Sequence, residues 1–222
     1  MKRSILEKNI LAKTLLEKRA VTINIRNPFT FVSGVRSPIY CDFRVILGYP
    51  KERSVIVSAF LQASKDIDFE IIAGTATAGI PWATLMADKL GKPLAYIRGD
   101  KKNRGMGKQI EGAHVSNKKV IVIEDLISTG GSSYKAVEAS RQAGASVSHI
   151  VAIFTYDFQE ANIRFREGKC NIVTLENFSN LVQIAAESDY LTEEELRIVL
   201  GWNKDPAKWG PAHGFPNAVP KW

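Results

Sequence analysis

Glu124 and Asp125 are adjacent carboxylates that follow the apolar run 120–123, and the chain continues Leu126-Ile127-Ser128-Thr129-Gly130-Gly131-Ser132-Ser133. Glycines let backbone N–H groups approach an anion, and the start of the helix expected from residue 131 adds a favourable dipole for phosphate. The hydroxyls of Ser128, Thr129, Ser132 and Ser133 can donate further hydrogen bonds. Two acids ahead of a phosphate cradle would repel phosphate, so they call for another partner, either sugar hydroxyls or a Mg²⁺ between ligand and protein. The plain alternative is a strand, turn and helix with an N-capping Ser or Thr, although capping does not require two acids. The segment is neither the G-x-G-x-x-G fingerprint nor a Walker loop.

Two further segments carry chemistry. Residues 71–81, Ile-Ile-Ala-Gly-Thr-Ala-Thr-Ala-Gly-Ile-Pro, read as a strand, a small-residue turn and a helix with Pro81 in its first turn. Such a turn suits a backbone loop for pyrophosphate, and tight strand–helix packing accounts for it equally well. Residues 98–112 hold Arg98, Lys101, Lys102, Arg104 and Lys108 before Glu111-Gly112, with three glycines ahead of Lys108. Such a stretch cannot pack a core and is expected to be mobile: either a solvated charged face, or a cationic lid that closes on a phosphorylated ligand and excludes water.

The elements that must position these residues follow from periodicity. Ile5, Leu6, Ile10, Leu11, Leu15 and Leu16 predict an amphipathic first helix. Short β-prone pieces fill residues 21–41. From residue 50, helices at 51–65, 80–90 and 131–143 alternate with strands at 69–73, 94–97, 120–124, 147–154 and 171–175. That alternation predicts a parallel sheet with helices on both faces, whose ligands bind beyond the carboxyl ends of the strands. Helices at 179–187 and 192–200 follow. The Trp/Pro-rich end is expected to be an extended tail packed by its aromatic rings, with a disordered, tag-like end as the alternative. The boundaries are 1–45 for the helix and N-terminal segment, 46–200 for the core and 201–222 for the tail.

Composition sets the class. The 222 residues are 45% hydrophobic and 24% charged, which describes a globular chain and excludes disordered and fibrous ones. Cys41 and Cys170 form no zinc spacing, and no His pairs with another His or Cys, so a metal would be held by oxygen. Apolar runs are strand-sized, and the first residues lack a signal peptide's apolar core, so a cytoplasmic location without membrane contact is expected. The net charge of +7 points to an anionic partner. Residues 98–108 carry five basic and one acidic side chain, residues 201–222 three and one; together they account for all but one of those charges. A nucleic-acid partner is therefore not expected.

Four apolar residues, two acids and then Ser-Thr-Gly-Gly resemble the 5-phosphoribosyl-1-pyrophosphate (PRPP) motif of type I phosphoribosyltransferases. Arg98-x-x-x-Lys102-x-x-Gly105 before Glu111-Gly112, with Phe29-Thr30-Phe31-Val32-Ser33-Gly34-Val35-Arg36-Ser37-Pro38-Ile39-Tyr40-Cys41-Asp42 upstream, resembles the orotate phosphoribosyltransferase branch. The resemblance implies an α/β type I phosphoribosyltransferase fold: a parallel sheet flanked by helices, with a small N-terminal hood subdomain and a mobile basic loop. It implies transfer of a 5-phosphoribosyl group from PRPP to N1 of orotate, with Mg²⁺ as cofactor. PRPP would be held by Arg98, Lys102, Arg104, Glu124, Asp125, Leu126, Ile127, Ser128, Thr129, Gly130, Gly131 and Ser132. Catalysis would fall on Lys102, Arg98 and Asp125, and orotate on Ser128, Phe31 and Arg44. Mg²⁺ would arrive with PRPP, with Glu124 and Asp125 as the carboxylates available to it. A homodimer sharing its lid loops across subunits is also implied. The chain departs from the family pattern at Arg104, where a loop histidine is usual, at Gly99 and Val32, where a second basic residue and a lysine are common, and at Phe158, near an expected arginine. Arg36 or Arg44 is then the cation for the orotate carboxylate. The rival readings are a phosphoribosyltransferase for another base and a PRPP-sensing regulator that binds nucleic acid.

Overall fold

Each apolar run after residue 50 becomes a strand of one sheet. The computed structural model describes residues 5–99 and 109–220, with side chains from residue 9. In chain order the elements are α1 (Ile5–Glu17), β1 (Val21–Ile23), β2 (Phe29–Thr30), β3 (Arg36–Ser37), β4 (Ile39–Cys41), a 3₁₀ turn (Phe43–Gly48), α2 (Pro50–Ser64), β5 (Ile71–Thr75), α3 (Gly79–Leu90) and β6 (Leu94–Ile97). There follow β7 (Ile110–Gly112), β8 (Lys119–Ile127), α4 (Gly131–Gln142), β9 (Ser146–Thr155), α5 (Gln159–Glu167), β10 (Asn171–Asn177), α6 (Phe178–Glu187), α7 (Glu193–Lys204) and α8 (Pro206–Ala212). Two compact units result: Met1–Ile46 with Phe178–Trp222, and Leu47–Asn177. No described helix is long and apolar enough to cross a membrane.

The second unit is built on a six-stranded sheet of order β10-β9-β8-β5-β6-β7, parallel except for the β6/β7 pair. All of β5 is buried, as are Val120–Glu124 of β8 and Ile150–Thr155 of β9. Parallel strands covered on both faces read as unbroken apolar runs for this reason. One face carries Ala73, Val122 and Ala152 against Val137 of α4 and Phe165 of α5. The other carries Gly74, which lies against Ile80 and Ala83 of α3. From β5 the chain moves outward through β6 and β7, then returns to β8 on the opposite flank of β5. The reversal opens a crevice at the carboxyl ends of β5 and β8, the topological switch point where ligands bind in open α/β sheets.

The first unit pairs β1 with β4 and β2 with β3, both antiparallel, and packs them with α1, α6, α7 and α8. Leu11, Leu15 and Leu16 are buried as the helical spacing predicts, whereas Ile10, expected on the same stripe, is 49% exposed. The extended tail expected after residue 200 needs correction. Helix α7 runs on to Lys204, and Asp205 caps α8 by accepting from Lys208 N at 3.2 Å, with Pro206 at a position where its missing N–H costs nothing. The segment is held by aromatic rings, as expected: Trp209 is buried and stacks on His213 and Phe215.

Candidate active site at a strand switch point

A cavity of about 610 Å³ sits at the ends of β5 and β8, and Thr75, Arg98, Glu124, Asp125, Ser128 and Gly131 are among the residues lining it. Another cavity, of about 440 Å³ beside β7, has no acid and no hydroxyl side chain among the described residues that line it. Strand β8 runs three residues past the expected end. Glu124, Leu126 and Ile127 stay in register with Ala152, Phe154 and Thr155 of β9, so both acids belong to the strand and the loop begins at Ser128.

The two carboxyls differ. Glu124 is 8% exposed; its Oε1 accepts from Thr75 Oγ1 at 2.6 Å and from Asp125 N at 3.1 Å, and its Oε2 from Ser133 Oγ at 3.1 Å. Burial, reinforced by the neighbouring Asp125 charge, pushes its pKa up to about 8, so Glu124 is largely a neutral acid at pH 7. The hydrogen bonds from Thr75 Oγ1, which also stands 3.2 Å from the Ile123 carbonyl, and from Asp125 N favour the charged form and offset only part of that rise. Asp125 is half-buried, lines the cavity, and accepts from Leu126 N at 2.9 Å.

The hydroxyl-rich loop delivers a bare helix start. The N-cap of α4 is Gly130 at φ +76° with no side-chain cap, so the alternative of a capping Ser or Thr does not hold. A Cβ on Gly130 would approach Phe165 and Ala161 of α5 at 3.0 and 3.3 Å, whereas one on Gly131 would meet only Thr129 Oγ1, at 4.0 Å. Gly130 is thus required by conformation and packing, while Gly131 leaves room in front of the first α4 N–H groups.

The 71–81 segment makes the tight strand–helix packing expected of it and places its turn on the cavity. A Cβ on Gly74 would stand 2.8 Å from Ile80 Cα, and one on Gly79 would stand 2.4 Å from Ile123 O, so these glycines let α3 descend onto the sheet. Ala76, Thr77 and Ala78 line the cavity, and the Ala76–Thr77 peptide is cis.

Arg98 also faces this space, and its Nε is buried without a hydrogen-bond partner among the described residues. Gln109 closes the base of the basic segment: Arg98 N donates to Gln109 O at 2.9 Å, and Gln109 Nε2 to Arg98 O at 3.0 Å. Lys102 and Arg104 lie outside the described residues. Ser133, expected as a hydroxyl donor in the loop, gives its hydrogen bond to Glu124, whereas Thr75, Gln109 and Lys135 are not candidates from the sequence. Only Lys135 had a readable signal, at helical spacing from Gly131 and Ser132.

Residues 53–188 match the family model described as "Phosphoribosyl transferase domain". An orotate phosphoribosyltransferase from Listeria monocytogenes is 45% identical over 207 residues, covering 92% of this chain and 99% of that protein. The chain belongs to the orotate phosphoribosyltransferase family. Among solved structures, orotate phosphoribosyltransferase from Aeropyrum pernix superposes with a TM-score of 0.67 at 27% identity, covering 82% of this chain and 99% of that one. Leishmania donovani UMP synthase gives 0.77 at 26%, covering 89% of this chain but 42% of the larger protein.

Within an orotate phosphoribosyltransferase, the remaining candidates divide between the units. Ser128 lines the cavity of the second; Phe31 and Arg44 belong to the first. Arg44 forms a two-point ion pair with Asp42, Nε to Oδ1 at 2.6 Å and Nη2 to Oδ2 at 2.9 Å, which holds the Asp42 carboxyl below its usual range. Arg36 is committed to Thr30 Oγ1 and the Pro216 carbonyl. Phe158 ends β9's loop as the N-cap of α5, its ring stacked on Tyr156 at 5.4 Å.

Proposed function

We infer that this chain transfers the 5-phosphoribosyl group of PRPP to N1 of orotate, giving orotidine 5′-monophosphate and pyrophosphate, a step of pyrimidine nucleotide synthesis. One observation carries the reading: in a chain of this family, an acid pair, a helix start without a side-chain cap and a small-residue turn converge on one cavity at the switch point. Asp125 and Glu124 take the ribose hydroxyls. The backbone from Leu126 to Ser132 takes the 5′-phosphate. The 76–78 turn takes the pyrophosphate together with Arg98, Lys102 and Arg104, and the orphaned Arg98 Nε is a donor suited to it. Ser128, Phe31 and Arg44 contact orotate.

Breaking the ribosyl–pyrophosphate bond leaves positive charge on the sugar and negative charge on the leaving group. Lys102 and Arg98 meet the leaving charge, and Asp125 faces the sugar. Orotate is already anionic, which lessens the need for a strong base, so catalysis rests on preorganised charge and positioning. Among the described residues no group of three or more His, Cys, Asp or Glu side chains could hold a metal ion. Asp125, half-buried on the cavity, is the carboxylate that would face a Mg²⁺ brought by PRPP, while Glu124 has both oxygens hydrogen-bonded within the protein; when bound the ion would neutralise part of the pyrophosphate charge. The working unit is a cytoplasmic homodimer with lid loops shared across subunits.

The test follows orotate absorbance with PRPP and Mg²⁺. Loss of orotate that requires both is expected. Turnover only with uracil or a purine would overturn the base assignment. PRPP binding without product, with a salt-sensitive affinity for DNA or RNA, would make the chain a regulator.

A further inference from the structure

The Trp/Pro-rich end of the chain lies outside the matched residues 53–188 and has no part in the reading above. In the first unit it is built onto the β2–β3 hairpin. Ala218 N donates to Gly34 O at 2.9 Å, Arg36 N to Asn217 Oδ1 at 3.2 Å, and Arg36 Nε to Pro216 O at 2.9 Å. Asn217 Nδ2 donates to Ala207 O at 2.8 Å, which ties the same segment to α8. Gly34 sits at φ +83°, and a Cβ there would lie 2.0 Å from Ala218 O, so the hairpin turn is fitted to the tail passing over it. Trp202 Nε1 donates to Arg36 O at 3.1 Å, and its ring meets Phe31 edge-on at 6.1 Å.

Strands β2 and β3 have two residues each, and an isolated hairpin of any length is marginal in water. The turn that carries Phe31 has bonds of its own, Phe31 N to Val35 O at 2.9 Å and Gly34 N to Phe31 O at 2.8 Å, and the tail adds its contacts to these. We propose that Pro216–Ala218 is a positioning segment for orotate recognition, with Asn217 and Ala218 acting through the Phe31–Arg36 turn. This rests on the reading of Phe31 as an orotate contact.

The test compares steady-state constants of the full chain with those of Asn217→Ala, Ala218→Pro and their combination. The combination removes two hydrogen bonds to the turn, and the expected rise in orotate KM is about tenfold, with PRPP KM and kcat within about twofold. Asn217→Asp keeps the acceptor for Arg36 N but loses the Nδ2 donor to Ala207 O, so its orotate KM is expected to lie between those of Asn217→Ala and the parent. Asn217 is exposed and Ala218 half-buried; should the combination fail to fold, Ala218→Pro alone removes one N–H and carries the comparison. An unchanged orotate KM in the tail variants, beside a raised one in Phe31→Ala, overturns the inference and leaves the reading standing. A parallel rise in both Michaelis constants shows a merely structural tail and overturns it too. An unchanged orotate KM in Phe31→Ala overturns the reading of Phe31 and the inference with it.

Discussion

Glu124 is a carboxyl group placed where carboxylates are disfavoured, and its protonation has a measurable cost. Its folded-state pKa of about 8 exceeds the ordinary 4.5, so between those values the folded chain binds more protons than the unfolded one. Stability from this group is then greatest below about pH 4.5 and is lost as pH rises toward 8. Replacing Glu124 by Gln removes the titration. Thermal melts of Glu124→Gln and the parent are expected to agree most closely below about pH 4.5, with the variant gaining as pH rises to about 8 and little beyond. A Tm difference independent of pH would contradict a neutral Glu124. At Lys102 the expectation concerns rate: Lys102→Ala lowers kcat by about two to three powers of ten, the range for one preorganised charge donor. An unchanged kcat would remove Lys102 from the chemistry. The acid pair could be read from two adjacent letters. That one member is a buried acid and the other a half-exposed carboxylate could not, because Thr75 and Ser133, which enclose Glu124, come from other elements.

At the scale of elements, strands and helices were legible wherever apolar residues recur without interruption, as in β5, β8, β9, α3 and α4. Misreadings arose where tertiary partners pay for polarity. The end of β8 was set too early because its two acids look like a loop, while the ladder to β9 continues to Ile127. Helix α5, Gln159–Glu167, escaped notice because only Ala161 and Phe165 are buried in it. In α8, Pro206, Gly210 and Pro211 hid a helix anchored by Trp209. The glycines of the two cavity loops now separate by role. Gly79→Ala drives a methyl against Ile123 O and Thr75 Oγ1, and overpacking of this kind costs about 1–3 kcal/mol, visible as a lower denaturation midpoint. Gly131→Ala opens onto free space in a helix start, so the midpoint is expected to hold or rise while PRPP KM increases. Equal losses of stability in both variants would refute the distinction.

For the whole molecule, the excess positive charge lies in residues 98–108 and 201–222, and the rest is close to neutral. A protein of this distribution is expected to bind nucleic acid weakly. A shared lid makes a sharper prediction: mixing Lys102→Ala subunits with Asp125→Asn subunits, each strongly impaired alone, raises activity well above either parent, because a mixed dimer joins one intact lid to one intact acid pair. Activity that stays at the level of the separate parents would mean that each lid serves its own subunit. Fold class and a site at the carboxyl ends of the strands followed from the alternation of strands and helices. The assignment of the chain's end to the same unit as its beginning did not, since it depends on contacts some 180 positions apart, such as Arg36 with Asn217. Strand β7 has a consequence of another kind. It ends one edge of the sheet after three residues, and a Cβ on Gly112, at φ +93°, would stand 2.6 Å from Leu94 O as the chain turns away. An edge that short offers a second chain almost no ladder to extend, so on this side the sheet resists the edge-to-edge growth that leads open sheets into aggregates.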